Sequence, residues 1–265
     1  MARVPGGYIG TRPASPTTSS AVGVWSLGDH YWYKRNGTWP ALGVDPSFAN
    51  VQLLLHMNGT NGSTTFTDSS GTPKTVTAAG GAQISTTQSK FGGASGSFDG
   101  TGDYLTATGA GLAVGSGNFT IEGWFYFNSL QTGIRTLWAH RSTNATIGGA
   151  LVTHSAGALS LYIAQSSILW QVVGFSTGLT VSTATWHHIA LVRDGNTIRT
   201  FLDGAAGSTT TFTGAVHTSG DFSLMAGAQD GTQEVDGYCD EFRLTTVDAR
   251  YTAAFDPPTV PFPDS

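Results

Sequence analysis

The sequence predicts an all-β protein: a two-sheet antiparallel jelly-roll sandwich behind an extended N-terminal arm. Three observations make the prediction. Apolar residues recur with period two rather than 3.6. Of 265 residues 36 are glycine and only 11% are charged, which suits many short strands joined by tight turns. Turn-forming steps such as Asp194-Gly195-Asn196 separate the alternating runs.

The clearest element is the hairpin from Trp186 to Gly204. Alternation places Trp186, His188, Ala190 and Val192 on one face and His187, Ile189, Leu191 and Arg193 on the other. Asp194-Gly195-Asn196 supplies the left-handed backbone angles of the reversal. Phe119, Ile121, Gly123, Phe125 and Phe127 form one face of a second strand, with Thr120, Glu122, Trp124 and Tyr126 on the other. Both faces suit burial, as in a central strand. Runs at 53–57, 159–163, 222–225 and 237–244 continue the series, and only 247–255 carries a faint helical period. Two stacked sheets bury such strands, and the length suits one sandwich plus a short extra segment.

Three regions follow. Residues 1–47 form an arm, with a Pro/Ser/Thr linker at 13–20 and an aromatic cluster that includes Trp25, Tyr31, Trp32, Tyr33 and Trp39. Exposed indoles are costly, so the cluster either folds back onto the sandwich or docks on another subunit. Residues 48–258 form the sandwich. The tail, 259–265, continues a proline-rich stretch that cannot complete a hydrogen-bond ladder and reads as a strap or contact arm.

Four phrases, in order, carry a family resemblance. They are Leu53-Leu54-Leu55-His56-Met57-Asn58-Gly59 with Phe66 to Gly71; Phe98 to Leu105; Trp186-His187-His188 through Phe201-Leu202-Asp203-Gly204; and Gly237 to Leu244 with Ala249-Arg250-Tyr251. Over about residues 50–258 the chain resembles the laminin-G-like, concanavalin A-like sandwich domains of bacteriophage virion proteins. The arm's Val-Trp-Ser-Leu phrase and its Trp39-Pro40 end are similar to pieces that accompany such domains. The resemblance implies a non-enzymatic tail-fibre or adhesin-like subunit, assembled in the host cytoplasm into the virion. Its sandwich would bind host-surface carbohydrate or a neighbouring tail or capsid subunit, with Trp25, Tyr31, Trp32 and Trp39 as anchors. A capsid decoration or head-fibre protein is the alternative. Fibres of this kind suit a homotrimer, though no heptad run decides the oligomeric state.

Related sandwiches often hold calcium, which takes carboxylate and carbonyl oxygens converging from several turns. Asn58, Asp99, Asp103 and Asp240 lie in the matching phrases. Asp-Gly turns also use aspartate for local backbone bonds without an ion, so both readings stand. For glycan, an aromatic platform beside amide and charged groups is required. Trp138, His140, Arg141, Asn144 and Trp170 fall between strong strands and are the candidates, with core packing of the two tryptophans the competing reading.

Catalysis is tested by its residues. Laminarinase-type enzymes of this architecture place three acids on one strand face as Glu-x-Asp-x-Glu or Glu-x-Asp-x-x-Glu; Glu234-Val235-Asp236 begins that pattern, but Tyr238 and Cys239 follow where the acid/base belongs. A polysaccharide depolymerase is therefore disfavoured. A Ser-His-acid triad is compatible with the composition, but no nucleophile-elbow phrase marks one. His187 and His188 face opposite ways in a strand and cannot share a metal ion.

A net charge of −5 with scattered Lys and Arg argues against nucleic acid, which needs clustered positive charge. The single Cys239 has no partner for a disulfide and reads as a small buried hydrophobe, compatible with folding in a reducing cytosol. No apolar run approaches the roughly 18 residues of a membrane span, and Met1 to Gly7 has no signal-peptide core. Release by lysis or within a particle is the expectation.

Overall fold

A computed structural model of the chain describes residues 44–141, 147–218, 222–228 and 231–265. Asp45–Ser265 is one compact unit. The anchor candidates Trp25, Tyr31, Trp32 and Trp39, and also Asn144, lie outside the described residues.

After a 3-10 turn at Phe48–Asn50 the described strands are β1 (Val51–Leu55), β2 (Thr75–Ala79), β3 (Gln83–Ser85), β4 (Ser95–Asp99), β5 (Tyr104–Thr108), β6 (Phe119–Phe127), β7 (Arg135–Ala139) and β8 (Ala150–Ser155). They continue as β9 (Ala158–Ser166), β10 (Leu169–Thr180), β11 (Trp186–Asp194), β12 (Thr197–Leu202), β13 (Ala205–Thr211), β14 (Phe222–Leu224) and β15 (Asp236–Thr246). Two antiparallel sheets result. The larger runs β13-β12-β11-β6-β15-β4-β3, and β1 also pairs with β15; the smaller runs β10-β9-β8-β7-β14-β5-β2. β6 lies between β11 and β15, the central place its two-faced pattern requires.

The β11–β12 hairpin pairs Asp194 with Thr197 and leaves a two-residue turn, Gly195-Asn196. Gly195 has φ 59°, which glycine adopts without steric cost, and its N–H donates to Asn118 Oδ1 at 2.8 Å.

The core lies between the sheets. Phe119, Ile121, Phe125 and Phe127 of β6, Ile189 and Leu191 of β11, and Cys239, Phe242 and Leu244 of β15 meet Leu137, Trp138, Val152, Leu161 and Ile163 of the opposite sheet. Trp138 belongs to this core. A bulge between Thr136 and Trp138 turns the indole inward, 5.9 Å from both the Phe125 and the Phe242 ring. Cys239 is buried among the same side chains, and burial pushes its thiol pKa up.

The larger sheet is covered on its outer face by the C-terminal strap. Residues 247–255 are not helical: Val247 has φ 64°, and Tyr251 and Phe255 stack at 3.6 Å with planes 5° apart. Their four-residue spacing reflects two rings packed against Ala190, Val192 and Phe201. Phe262 is buried with Val51 and Leu54, and Asp45 N–H donates to the Ser265 carbonyl, so the unit's two ends meet.

Under the strap lies a buried charge network. Glu122 Oε1 accepts from Arg243 Nε at 3.0 Å and Nη2 at 2.7 Å, while Oε2 accepts from the Tyr251 hydroxyl at 2.8 Å. His188 Nε2 lies 3.2 Å from Oε2. Asp45 accepts from Arg243 Nη1 and from both terminal nitrogens of Arg250, at 2.7–3.0 Å. Burial by itself would raise the Glu122 pKa; Arg243, His188 and Arg250 outweigh it and hold the carboxyl well below the usual range.

Two other buried histidines are short of partners. Burial lowers His140 and His154 from an ordinary 6.5 to about 4, with Arg135 adding to the effect at His154. Both His154 nitrogens lack a hydrogen-bond partner, and the ring packs edge-on to Phe127 at 5.2 Å. Rings kept neutral by the fold contribute stability that is complete above pH 6.5 and lost as pH falls toward 4, on the order of 3 kcal/mol for each ring. Denaturant melts should show the midpoint dropping across that window. His154→Leu should be less sensitive there and more stable at pH 5; equal slopes for the two proteins would contradict this account.

Candidate functional site

The open surface is the outer face of the smaller sheet. Val152, Leu161 and Ile163 turn into the core, so Leu151, Thr153 and Tyr162 turn outward. Register shifts on either side of Trp170 pair it with Ala164 and bring its indole out beside Tyr162, with ring centroids 5.9 Å apart at 74°. These side chains, with Ile134, Arg141 and Gln233, line a hollow of about 80 Å³. Enclosed ligand pockets run to about 300 Å³ or more, so this hollow seats one edge or ring of a larger ligand.

Its polar wall is held in place. The Arg141 guanidinium sits 5.8 Å from the Trp170 ring centroid, with Nε donating to the Gly227 carbonyl and Nη2 to Gln233 Oε1 at 3.1 Å. Gln233, at φ 60°, also accepts from the Thr136 hydroxyl at 2.9 Å. An aromatic wall, a cation and an amide thus converge, and among the described residues no carboxylate lines the hollow. Exposed Ile168, Leu169 and Val173 extend an uncharged apolar surface along the adjoining β9–β10 hairpin.

Of the glycan candidates, the structure brings Arg141 and Trp170 together. Trp138 is in the core. His140 is buried against Phe222 at 4.7 Å, donates from Nε2 to the Leu112 carbonyl at 2.9 Å, and borders a separate hollow of about 220 Å³ formed with residues 109–113 and Thr218. Tyr162 and Gln233 were missed by the sequence reading. Tyr162 was legible from its parity in Leu159-Ser160-Leu161-Tyr162-Ile163, whereas no local signal marks Gln233. Trp186, Tyr126 and Tyr238 also form a half-buried aromatic row across β11, β6 and β15, at 5.6 and 5.8 Å. Cross-strand packing of this kind stabilises a sheet.

The calcium candidates divide into two places. Asp99 pairs with Asp236, four residues from Asp240 along β15, a separation of about 13 Å. Asp103 is committed to backbone N–H groups of Gly81 and Asp99, and Asp99 accepts from Thr101 N–H at 2.8 Å. Those two are turn clamps, and calcium does not fit them. Asp240 is different. Its Oδ2 accepts from Lys90 and Phe91 N–H at 2.8 and 3.0 Å, but its buried Oδ1 has no partner. Burial, with Glu241 adjacent, raises its pKa to about 7 despite those two donors. Asn58 Oδ1 lies against Gly92 in the same loop, where an added Cβ would come within 2.0 Å of it.

Asp240, with one buried oxygen unpartnered and Phe91 bonded to the other next to the Asn58–Gly92 contact, is the candidate position for calcium, where backbone carbonyls or water would be the remaining ligands. Among the described residues no three His, Cys, Asp or Glu side chains are placed to hold a metal by themselves.

The acidic run serves structure as well. Glu234 Oε1 accepts from Gly102 N–H at 3.1 Å, and Asp236 accepts from Asn128 Nδ2 and the Ser129 hydroxyl at 2.9 and 2.8 Å. His188 faces the buried network under the strap, and His187 points away from it toward Asp203.

The strap covers part of the outer face of the larger sheet, and the smaller sheet carries the aromatic hollow on its own outer face. The chain belongs to the concanavalin A-like lectin/glucanases superfamily, whose laminin-G model matches residues 99–248. No curated protein matches it by sequence. Among solved structures, it is similar to the botulinum neurotoxin serotype D binding domain at TM-score 0.58 and 12% identity, over 76% of this chain and 49% of that one. The binding domain of Paraclostridial Mosquitocidal Protein 1 gives 0.58 and 14%, over 79% and 50%. The binding domain of botulinum neurotoxin serotype G gives 0.55 and 13%, over 78% and 49%. The chain spans about half the length of these structures, and at such identities the likeness concerns the fold. Among the described residues no helix is long and apolar enough to cross a membrane.

If Asp240 and Asn58 hold calcium, millimolar calcium should raise the melting temperature of the chain and magnesium should not. Asp240→Asn should abolish the increment. An identical melt with calcium and with chelator would remove calcium from this protein.

Proposed function

We propose that this chain is a carbohydrate-binding virion subunit of a bacteriophage, exposed on a tail fibre or as an adhesin, that holds host-surface glycan without cutting glycosidic bonds. The observation that carries the reading is the hollow of Trp170, Tyr162, Arg141 and Gln233 on the uncovered sheet. Sugar C–H faces stack on the aromatic rings, and sugar hydroxyls or carboxylates meet the guanidinium and amide. Glycosidic cleavage needs a pair of acids, and the described lining offers an aromatic wall, a guanidinium and an amide, which are binding groups. The similar folds are toxin binding domains, which agrees with a binding role. Placement in a virion rests on the four sequence phrases and the aromatic arm.

Both ends of the compact unit meet under the strap on the larger sheet, while the hollow opens on the other sheet.

On a glycan array the full chain should retain a defined set of ligands, and Trp170→Ala should weaken them at least about tenfold, the scale of a lost stacking anchor. Loss of every ligand in the wild-type chain would end the carbohydrate reading. Immunogold labelling of virions should mark the tail. Label spread over the head would instead make the protein a capsid decoration or head fibre, with neighbouring subunits as its partners.

A further inference from the structure

Outside the hollow, three chemistry-bearing side chains converge at the β10–β11 connection. There Ser182 Oγ lies 3.0 Å from His187 Nε2, and His187 Nδ1 lies 2.7 Å from Asp203 Oδ2. We propose that Ser182, His187 and Asp203 form a nucleophilic triad that hydrolyses small, unhindered acyl esters.

The geometry meets two requirements of an activated serine. A nucleophile must be within hydrogen-bond reach of a base, and the base must be oriented by a third group. The Ser182 side chain is exposed to an incoming ester, while His187 is buried and cannot swing away. The tautomer is set by the backbone. Ser182 N–H donates to His187 Nε2 at 3.1 Å, so that nitrogen carries a lone pair and the ring proton sits on Nδ1, facing Asp203. Asp203 is itself fixed, because its Oδ1 accepts from His188 N–H at 2.8 Å. Burial acts to raise the Asp203 pKa, but bonds from His187 and His188 hold the carboxylate below its ordinary range, so it is ionised and able to stabilise an imidazolium.

The elements explain the assembly. Trp186–Asp194 alternates, which separates His187 from His188 and turns it toward Asp203, just beyond the end of β12. Ser182 precedes β11 by four residues and folds back onto the ring. No elbow motif is involved, which is why the sequence showed no triad phrase.

The chemistry balances with water as co-substrate. Ser182 Oγ forms a bond to the acyl carbon as its proton passes to His187 Nε2. The carbon–oxygen bond to the alcohol then breaks, and that alcohol leaves with the same proton. Water, deprotonated by His187, releases the acid and restores the serine. Residues 182–185 are exposed and offer no enclosing pocket to bind a long acyl chain, so the substrate class is a short acyl group on a good leaving group. Ser182 and His187 are the catalytic residues and Asp203 is a positioning residue.

The test uses the full chain and a fluorophosphonate probe, followed by peptide mass analysis, with p-nitrophenyl acetate as substrate. A phosphonyl adduct on Ser182 is expected, absent from heat-denatured protein. Ser182→Ala should remove the adduct and lower ester turnover by about 10²-fold or more. Asp203→Asn keeps the acceptor for His188 N–H and should lower kcat with KM unchanged. A folded chain whose Ser182 takes no adduct, or whose turnover survives Ser182→Ala, would overturn the proposal and leave the three residues as a clamp on the β10–β11 connection. Glycan-array binding should be unaffected by Ser182→Ala, so failure here and failure of the carbohydrate reading are separately visible.

Discussion

The buried Glu122 carboxylate is the constraint on which the rest of the structure depends. A charge in the middle of a central strand, facing away from the core, is tolerable only if it is covered and paired. Arg243 on the neighbouring strand and Tyr251 on the strap hydrogen-bond to it, and Arg250 and Asp45 extend the network to the start of the compact unit. A buried ionic network is weak evidence for net stability, because desolvation offsets much of the attraction. What it provides is registration: only one placement of the strap satisfies all of these groups.

That placement divides the sandwich into two unlike faces. The larger sheet has the Tyr251–Phe255 stack over Phe201 and the charged groups beneath, which closes this part of its outer surface. Among the described residues nothing covers the Tyr162–Trp170 hollow on the smaller sheet in the same way. The asymmetry follows from where the chain puts its last residues, since the sheet that receives the strap loses that surface as a ligand face. A bulge and a strand connection carry the other chemistry. Asp240 sits at a bulge in β15 with one oxygen short of a partner, and Ser182 folds back onto His187 just before β11.

Much of the fold was legible because strand pattern is local. The alternation in β6 and β11 correctly separates core from outer face, and the turn at Gly195-Asn196 lies where the sequence places it. The site was less legible. Trp138 and Trp170 have similar surroundings in the sequence, yet bulges send one inward and the other outward. A bulge shifts parity by one residue without a compositional signature. The period at 247–255 misled for a related reason, since two stacked aromatics four residues apart imitate a helical turn.

The sequence by itself determined the all-β class, the central strands, the tight hairpin, the burial of Cys239 and the opposite orientations of His187 and His188. Each follows from side chains that alternate along one strand or from a turn of a few residues. Only the tertiary structure decided where the strap covers the larger sheet, that Gln233 meets Arg141, that Asp103 is a turn clamp while one oxygen of Asp240 lacks a partner, and that Asp203 lies against His187. Those outcomes depend on which strands are neighbours and on single-residue shifts of register, and both are settled by packing between segments far apart in the chain.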